Sequence, residues 1–173
     1  MRRLLFFGIL LAGVLSFGIS EAVQTKLVVR AKSKDAKFVG SKMGGAVVVV
    51  RDSETGKVLA EGLTSGGTGD TETIMNQPKT RFGKITDGSA MFETSIDIAE
   101  PRLVTIDVEA PYSDKTHMVK SSTQIWLIPG RDIVGEGVII EVPGFAVDAR
   151  APEAVKMSDN KAAIPLNAHI VMI

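Results

Sequence analysis

The chain is expected to be all-β, an antiparallel β-sandwich of about eight strands. Three observations carry that expectation. Short runs rich in valine, isoleucine and threonine recur along the chain, separated by Gly, Pro and Asp turn signals. One run, Val104 to Val108, alternates strictly between apolar and polar residues. Only Ala151 to Met157 carries a helix signal after the first 22 residues, with Pro152 near its start.

The N-terminus has a different grammar. Arg2 and Arg3 form a short positive region, and Leu4 to Ile19 follow without a charge. Ser20-Glu21-Ala22 then places small residues three back and one back from a cut after Ala22. This layout predicts a signal-peptide helix over residues 1–22 and export to a periplasm or the outside. A spanning helix wants roughly 20 apolar residues, and this stretch is shorter. Residues 23–173 are then a single β-sandwich domain, long enough to close a core without metal or cross-link.

The strands follow in order. Val23 to Ala31 opens with Leu27, Val28 and Val29. Gly45 to Val50 is a continuous apolar run ending in four β-branched valines, which predicts a strand buried on both faces. Asp52-Ser53-Glu54-Thr55-Gly56-Lys57 supplies a hairpin turn, and Val58 to Leu63 returns as its partner. Leu63 to Gly69, with three close glycines, reads as a loop. The polar stretch up to Asp87-Gly88 shows no period, and Ala90 to Ile98 is again a strand. Val104, Ile106 and Val108 share one face of the next, with Thr105, Asp107 and Glu109 on the wet side. Thr116 to Ile128 reads as a long strand whose Trp126 packs in the core. Val138 to Val142, Phe145 to Val147 and Ala168 to Ile173 close the chain, with turns at Pro129-Gly130 and Pro143-Gly144.

The segment AVVVVRDSETGKVLAEGLT, residues 46–64, is followed by Asp87-Gly88-Ser89-Ala90-Met91-Phe92 and by Arg102 to Val108. This resembles the transthyretin-like and carboxypeptidase-regulatory-like group of small β-sandwiches, over roughly residues 46–108. Their valine-rich strand, D-x-x-T-G turn and later G-x-F strand have counterparts here. Gly88 and Phe92 stand four apart, wider than that motif, and residues 62–87 form a longer link. The resemblance implies the fold, transthyretin-like or the related immunoglobulin-like sandwich, and no functional residue. Transthyretin-like hydroxyisourate hydrolases use several histidines and a characteristic C-terminal tetrapeptide. Intradiol-type dioxygenases use two tyrosines and two histidines. This chain has His117, His169 and Tyr112 alone, and ends Ile-Val-Met-Ile.

Composition removes other chemistries. There is no cysteine, so thiol nucleophiles, thiolate zinc sites and the usual iron–sulfur clusters are excluded. No H-E-x-x-H, G-x-S-x-G or D-x-D-x-D-G motif occurs, and Gly66-Gly67-Thr68-Gly69 lacks a P-loop lysine. Without Arg2, Arg3 and Glu21 the chain carries 18 basic and 19 acidic residues, singly scattered. That is a solvated surface and not a nucleic-acid footprint. Asp70, Asp87, Asp97, Glu100, Asp107, Glu109 and Asp114 could form a hydrolase pair only if two of them converged in a cleft.

A binding role remains. The expected function is a non-catalytic binding or assembly module of the cell envelope, without cofactor. Strand edges and the residue 62–87 link would engage a protein partner. The alternative is a carrier of copper or a small ligand. Its candidate ligands are His117, Met118, His169 and Met172, since imidazole and thioether together suit copper. Strand alternation places His117 and Met118 on opposite faces, and likewise His169 and Met172.

Overall fold

The computed structural model describes residues 21–173; the predicted signal-peptide helix otherwise lies outside the described residues. The described chain forms a β-sandwich. Its strands are β1 (Val23–Ser33), β2 (Val47–Asp52), β3 (Val58–Leu63), β4 (Ser65–Thr68), β5 (Ser89–Ile98), β6 (Arg102–Ala110), β7 (Val119–Leu127), β8 (Ile133–Val142), β9 (Phe145–Arg150) and β10 (Asn167–Met172). A 3-10 turn spans Ser41–Met43, and a single π turn spans Glu72–Asn76.

One sheet has the order β4-β5-β1-β8 and the other β3-β2-β6-β7. Their inner faces share one core. Leu27, Val29 and Ala31 from β1, Ile96 and Ile98 from β5, and Ile140 and Val142 from β8 meet Val48, Val50, Val104, Ile106, Val108 and Leu127. Each such aliphatic side chain contributes about 1.5–3 kcal/mol on burial. The predicted alternation of β6 holds. Val104, Ile106 and Val108 are sealed, while Thr105, Asp107 and Glu109 are half-exposed.

Several expectations need correction. The sandwich is mixed and not wholly antiparallel, because β8 runs parallel to β1. Two strands exceed the expected eight. One is β4, predicted as loop, whose residues carry little strand propensity. It pairs with β5 because Gly66, at φ +136°, brings the chain against Ala90, where a Cβ would stand 2.9 Å from the Ala90 Cα. Burial on both faces belongs to β1, where Val28, Arg30 and Lys32 are buried on the face opposite the core. In β2 only Val48, Val50 and Asp52 are fully buried. β7 begins at Val119, because the preceding residues form a turn closed by Asp114. The short helix expected over Ala151 to Met157 is absent, and that stretch has no regular secondary structure and is mostly exposed.

The largest correction concerns Trp126. It is 59% exposed and not in the core. Leu127, the next residue, takes the buried position. Along β7 the exposed set is Lys120, Ser122, Gln124 and Trp126, in strict alternation.

The chain leaves the sandwich at Pro143-Gly144. β9 and β10 form a separate antiparallel hairpin sheet, in which Phe145 opposes Met172, Val147 opposes Ile170 and Asp148 opposes His169. Ala146 and Ile173 anchor this arm in the core, and the Ile173 N–H donates to the Gly144 carbonyl.

Candidate functional site

The arm leaves an apolar face in solvent. Strand alternation puts Phe145 and Val147 of β9 on the same face as Ile170 and Met172 of β10. Those four side chains are 55–61% exposed. The opposite face carries Ala146, Asp148, Arg150, His169 and Val171. On that face Ala146 is buried and Asp148 partly exposed, while Arg150, His169 and Val171 are exposed. An isolated two-strand hairpin is marginal in water, and a contiguous apolar patch left in solvent marks a contact surface.

The predicted histidines lie near this arm. His117 precedes β7, where its Nδ1 lies 2.8 Å from the Asp114 Oδ2. The Thr116 N–H donates to the other Asp114 oxygen at 3.2 Å. His117 hydrogen bonding, more than its charge, holds the Asp114 carboxyl below the usual carboxylate range. His169 is exposed on β10 opposite Asp148. Arg150 donates to Asp148 Oδ2 through Nε at 3.0 Å and Nη2 at 2.8 Å. That contact lowers the Asp148 carboxyl first, with smaller help from the charges of Arg150, His117 and His169. Both histidines therefore lie within electrostatic reach of Asp148, a residue that no sequence motif singles out. Yet among the described residues no three His, Asp or Glu side chains are grouped to hold a metal ion. Arg150 already occupies the carboxylate between the two histidines.

Met118 is half-buried beside His117. Met172 points away from His169, as alternation requires: His169 lines a cleft with Asp148, Arg150 and Asn167. Met172 lines a different cleft of 270 Å³, together with Ala36, Phe38, Met43 and Met75. The predicted copper candidates are therefore divided between two sites.

Two further clefts lie on the sandwich. The first, of 250 Å³, is lined by Trp126 and by Asp52, Glu54, Thr55, Glu100 and Arg102. Asp52 closes the D-x-x-T-G turn. Its Oδ1 accepts from the Glu54 and Thr55 N–H groups at 3.0 and 2.7 Å and from the Thr55 hydroxyl at 2.9 Å. Its Oδ2 accepts from Arg102 Nη1 at 3.0 Å. The Thr55 hydrogen bonds are the main reason its carboxyl sits below the ordinary range. Both oxygens are spent on structure, so Asp52 is no ready acid or base. Of the carboxylates considered from sequence, Glu100 alone reaches this cleft, and it pairs at 3.6 Å with Arg102. Asp107 is drawn to Arg51 at 3.6 Å and Lys120 at 3.5 Å, and Lys120 also reaches Glu109 at 3.6 Å.

The second cleft, of 350 Å³, is lined by Arg30, Lys84, Asp87, Ser89, Met91 and Glu136 among others. Arg30 is buried in the middle of β1. Its Nη1 donates to the Ser89 carbonyl and hydroxyl at 2.9 and 3.0 Å and to the Ala90 carbonyl at 3.3 Å. Its Nε and Nη2 donate to the carbonyls of Glu136 and Gly135 at 3.2 Å each. Burial lowers its pKa, opposed by the charges of Glu136 and Asp87. Arg30 thus ties β5 to β8 across β1, a structural clamp.

No family model, no curated protein and no solved structure matches this chain.

Proposed function

We propose that this chain is an exported, non-catalytic binding or assembly module of the cell envelope, and that it captures a protein partner on the apolar face of its β9–β10 arm. The observation that supports this is the exposed apolar face of the arm. Phe145, Val147, Ile170 and Met172 face solvent together, where each forgoes much of its hydrophobic stabilisation. A partner would restore that burial. Among the described residues each strand of the hairpin also keeps one edge without a neighbouring strand, so main-chain pairing can add to side-chain docking. We take the sandwich itself to be of the transthyretin-like kind. The D-x-x-T-G turn supports this by closing the β2–β3 hairpin around Asp52.

The test is site-specific photo-crosslinking in the native envelope. A crosslinker at position 170 is expected to give a recurrent protein adduct, identified by mass spectrometry. The same group at Gln124, exposed on β7, is expected to give none. Equal adducts at both positions, or none at position 170, would remove the arm from the proposal.

A further inference from the structure

We propose that the cleft between the arm and the sandwich binds a soft monovalent metal ion, copper(I) above all, through the thioethers of Met43, Met75 and Met172. The three come from three separate elements. Met43 ends the 3-10 turn, Met75 sits in the π turn and Met172 is on β10. All three line one cleft of 270 Å³, whose other walls include Ala36, Phe38 and Ile173.

Methionine usually fills gaps in cores. That role fits Met43 in part, since it packs against the core from the cleft wall, but not Met75 or Met172. Met75 is 43% exposed and Met172 61% exposed, and both border an open cleft. What an accessible group of thioethers offers is softness. The sulfur is neutral and polarisable, so it competes poorly for hard ions such as calcium or magnesium and well for copper(I). In a chain without cysteine, thioether sulfur is the softest donor present. The polar residues of the cleft are Lys37, Thr68 and Thr71. Lys37 donates to the Thr71 hydroxyl at 3.0 Å, and its charge is felt by Asp70. The sequence pairs Met172 with His169 as a candidate ligand; the fold gives it two other methionines instead.

Silver(I) is the probe of choice, being soft, monovalent and stable to oxidation, with copper(I) competition against a chromophoric chelator as the second measurement. In the mature protein with methyl-labelled methionine, about one equivalent of silver(I) is expected to shift the Met43, Met75 and Met172 methyl signals. Those of Met91, Met118 and Met157 should stay in place. Each of Met43→Leu, Met75→Leu and Met172→Leu should weaken copper(I) binding by about tenfold or more. Leucine nearly conserves methionine volume, so these variants keep an apolar surface while removing sulfur. Arm crosslinking that survives all three substitutions while metal binding is lost separates this site from the docking role. Absence of silver-induced shifts, equal shifts at all six methyls, or shifts at Met118 in place of Met43 and Met75 would overturn the proposal.

Discussion

In β6 every second residue is apolar, and Val104, Ile106 and Val108 are all sealed from solvent. In the β9–β10 arm Phe145, Val147, Ile170 and Met172 also share one face, yet each stays more than half exposed. The local rule is the same in both regions, since strand side chains alternate. The difference lies in what faces each strand. β6 has β2 and β7 beside it and the second sheet below it. Among the described residues the arm's sheet has only its own two strands, and of the four side chains Met172 alone lines a cleft against the sandwich. Alternation therefore assigns residues to faces, and only a second layer decides which face is buried. An apolar face without that layer is a surface on which a partner can supply it.

The contrast can be broken most forcefully from the sandwich side. Ile106 is fully buried, and Ile106→Ala removes several packed carbons from a core that cannot fully collapse. A loss of about 3 kcal/mol is expected in urea unfolding. A loss under about 1 kcal/mol would mean that the two sheets pack less tightly than the burial implies. Gly45→Ala should cost less, about 2 kcal/mol by the same measurement. Gly45 holds φ +74°, and an added Cβ would collide with the Thr64 carbonyl oxygen at the entry to β2.

Asp52 gives a pH handle on the sandwich alone. Its carboxyl is held below the ordinary range by the Thr55 hydrogen bonds first, with Arg102 adding to the effect. A carboxyl depressed in the folded state stabilises the fold above its unfolded pKa. That contribution disappears as the pH falls through the lowered folded value. Asp52→Asn should therefore lower the melting temperature at neutral pH and remove part of the acid-side decline. The two melting curves should converge once Asp52 in the parent protein is protonated. Parallel curves at every pH would show that the charge of Asp52 adds nothing its neutral amide counterpart lacks.

Much of the sandwich was legible in the residues. The alternation of β6, the hairpin around Asp52 and Gly56, and the Pro-Gly turns each leave a local mark. β4 left none, because Ser65-Gly66-Gly67-Thr68 has no strand propensity of its own and is held by contact with Ala90. The exposure of Trp126 was readable after all. Counting by twos from Lys120 through Ser122 and Gln124 leads to the wet face, but the apolar neighbours Ile125 and Leu127 concealed it. The candidate site was least legible. Met43 and Met75 lie far along the chain from Met172, and no spacing rule joins a 3-10 turn, a π turn and a strand. Asp148 gained its place near both histidines only through the β9–β10 register and the approach of the arm to the β6–β7 turn.

The smallest expected effect is the most informative about the arm. Ile170→Ser replaces a large apolar side chain with a polar one, a change that would be severe in β6. On the arm Ile170 is 60% exposed and opposes Val147, itself more than half exposed. Little of its surface leaves water on folding, so little transfer energy is at stake. The loss in urea unfolding of the isolated protein should stay below about 0.5 kcal/mol. Met172→Ser would not make as clean a test, because Met172 also lines the methionine cleft. A loss near 3 kcal/mol for Ile170→Ser, about as large as that expected for Ile106→Ala, would mean that the arm face is covered by its own chain in solution. The apolar face would then be internal packing, with nothing left for a partner to bury. A small loss, together with a recurrent crosslink from position 170, leaves a face that contributes almost nothing to folding and much to capture.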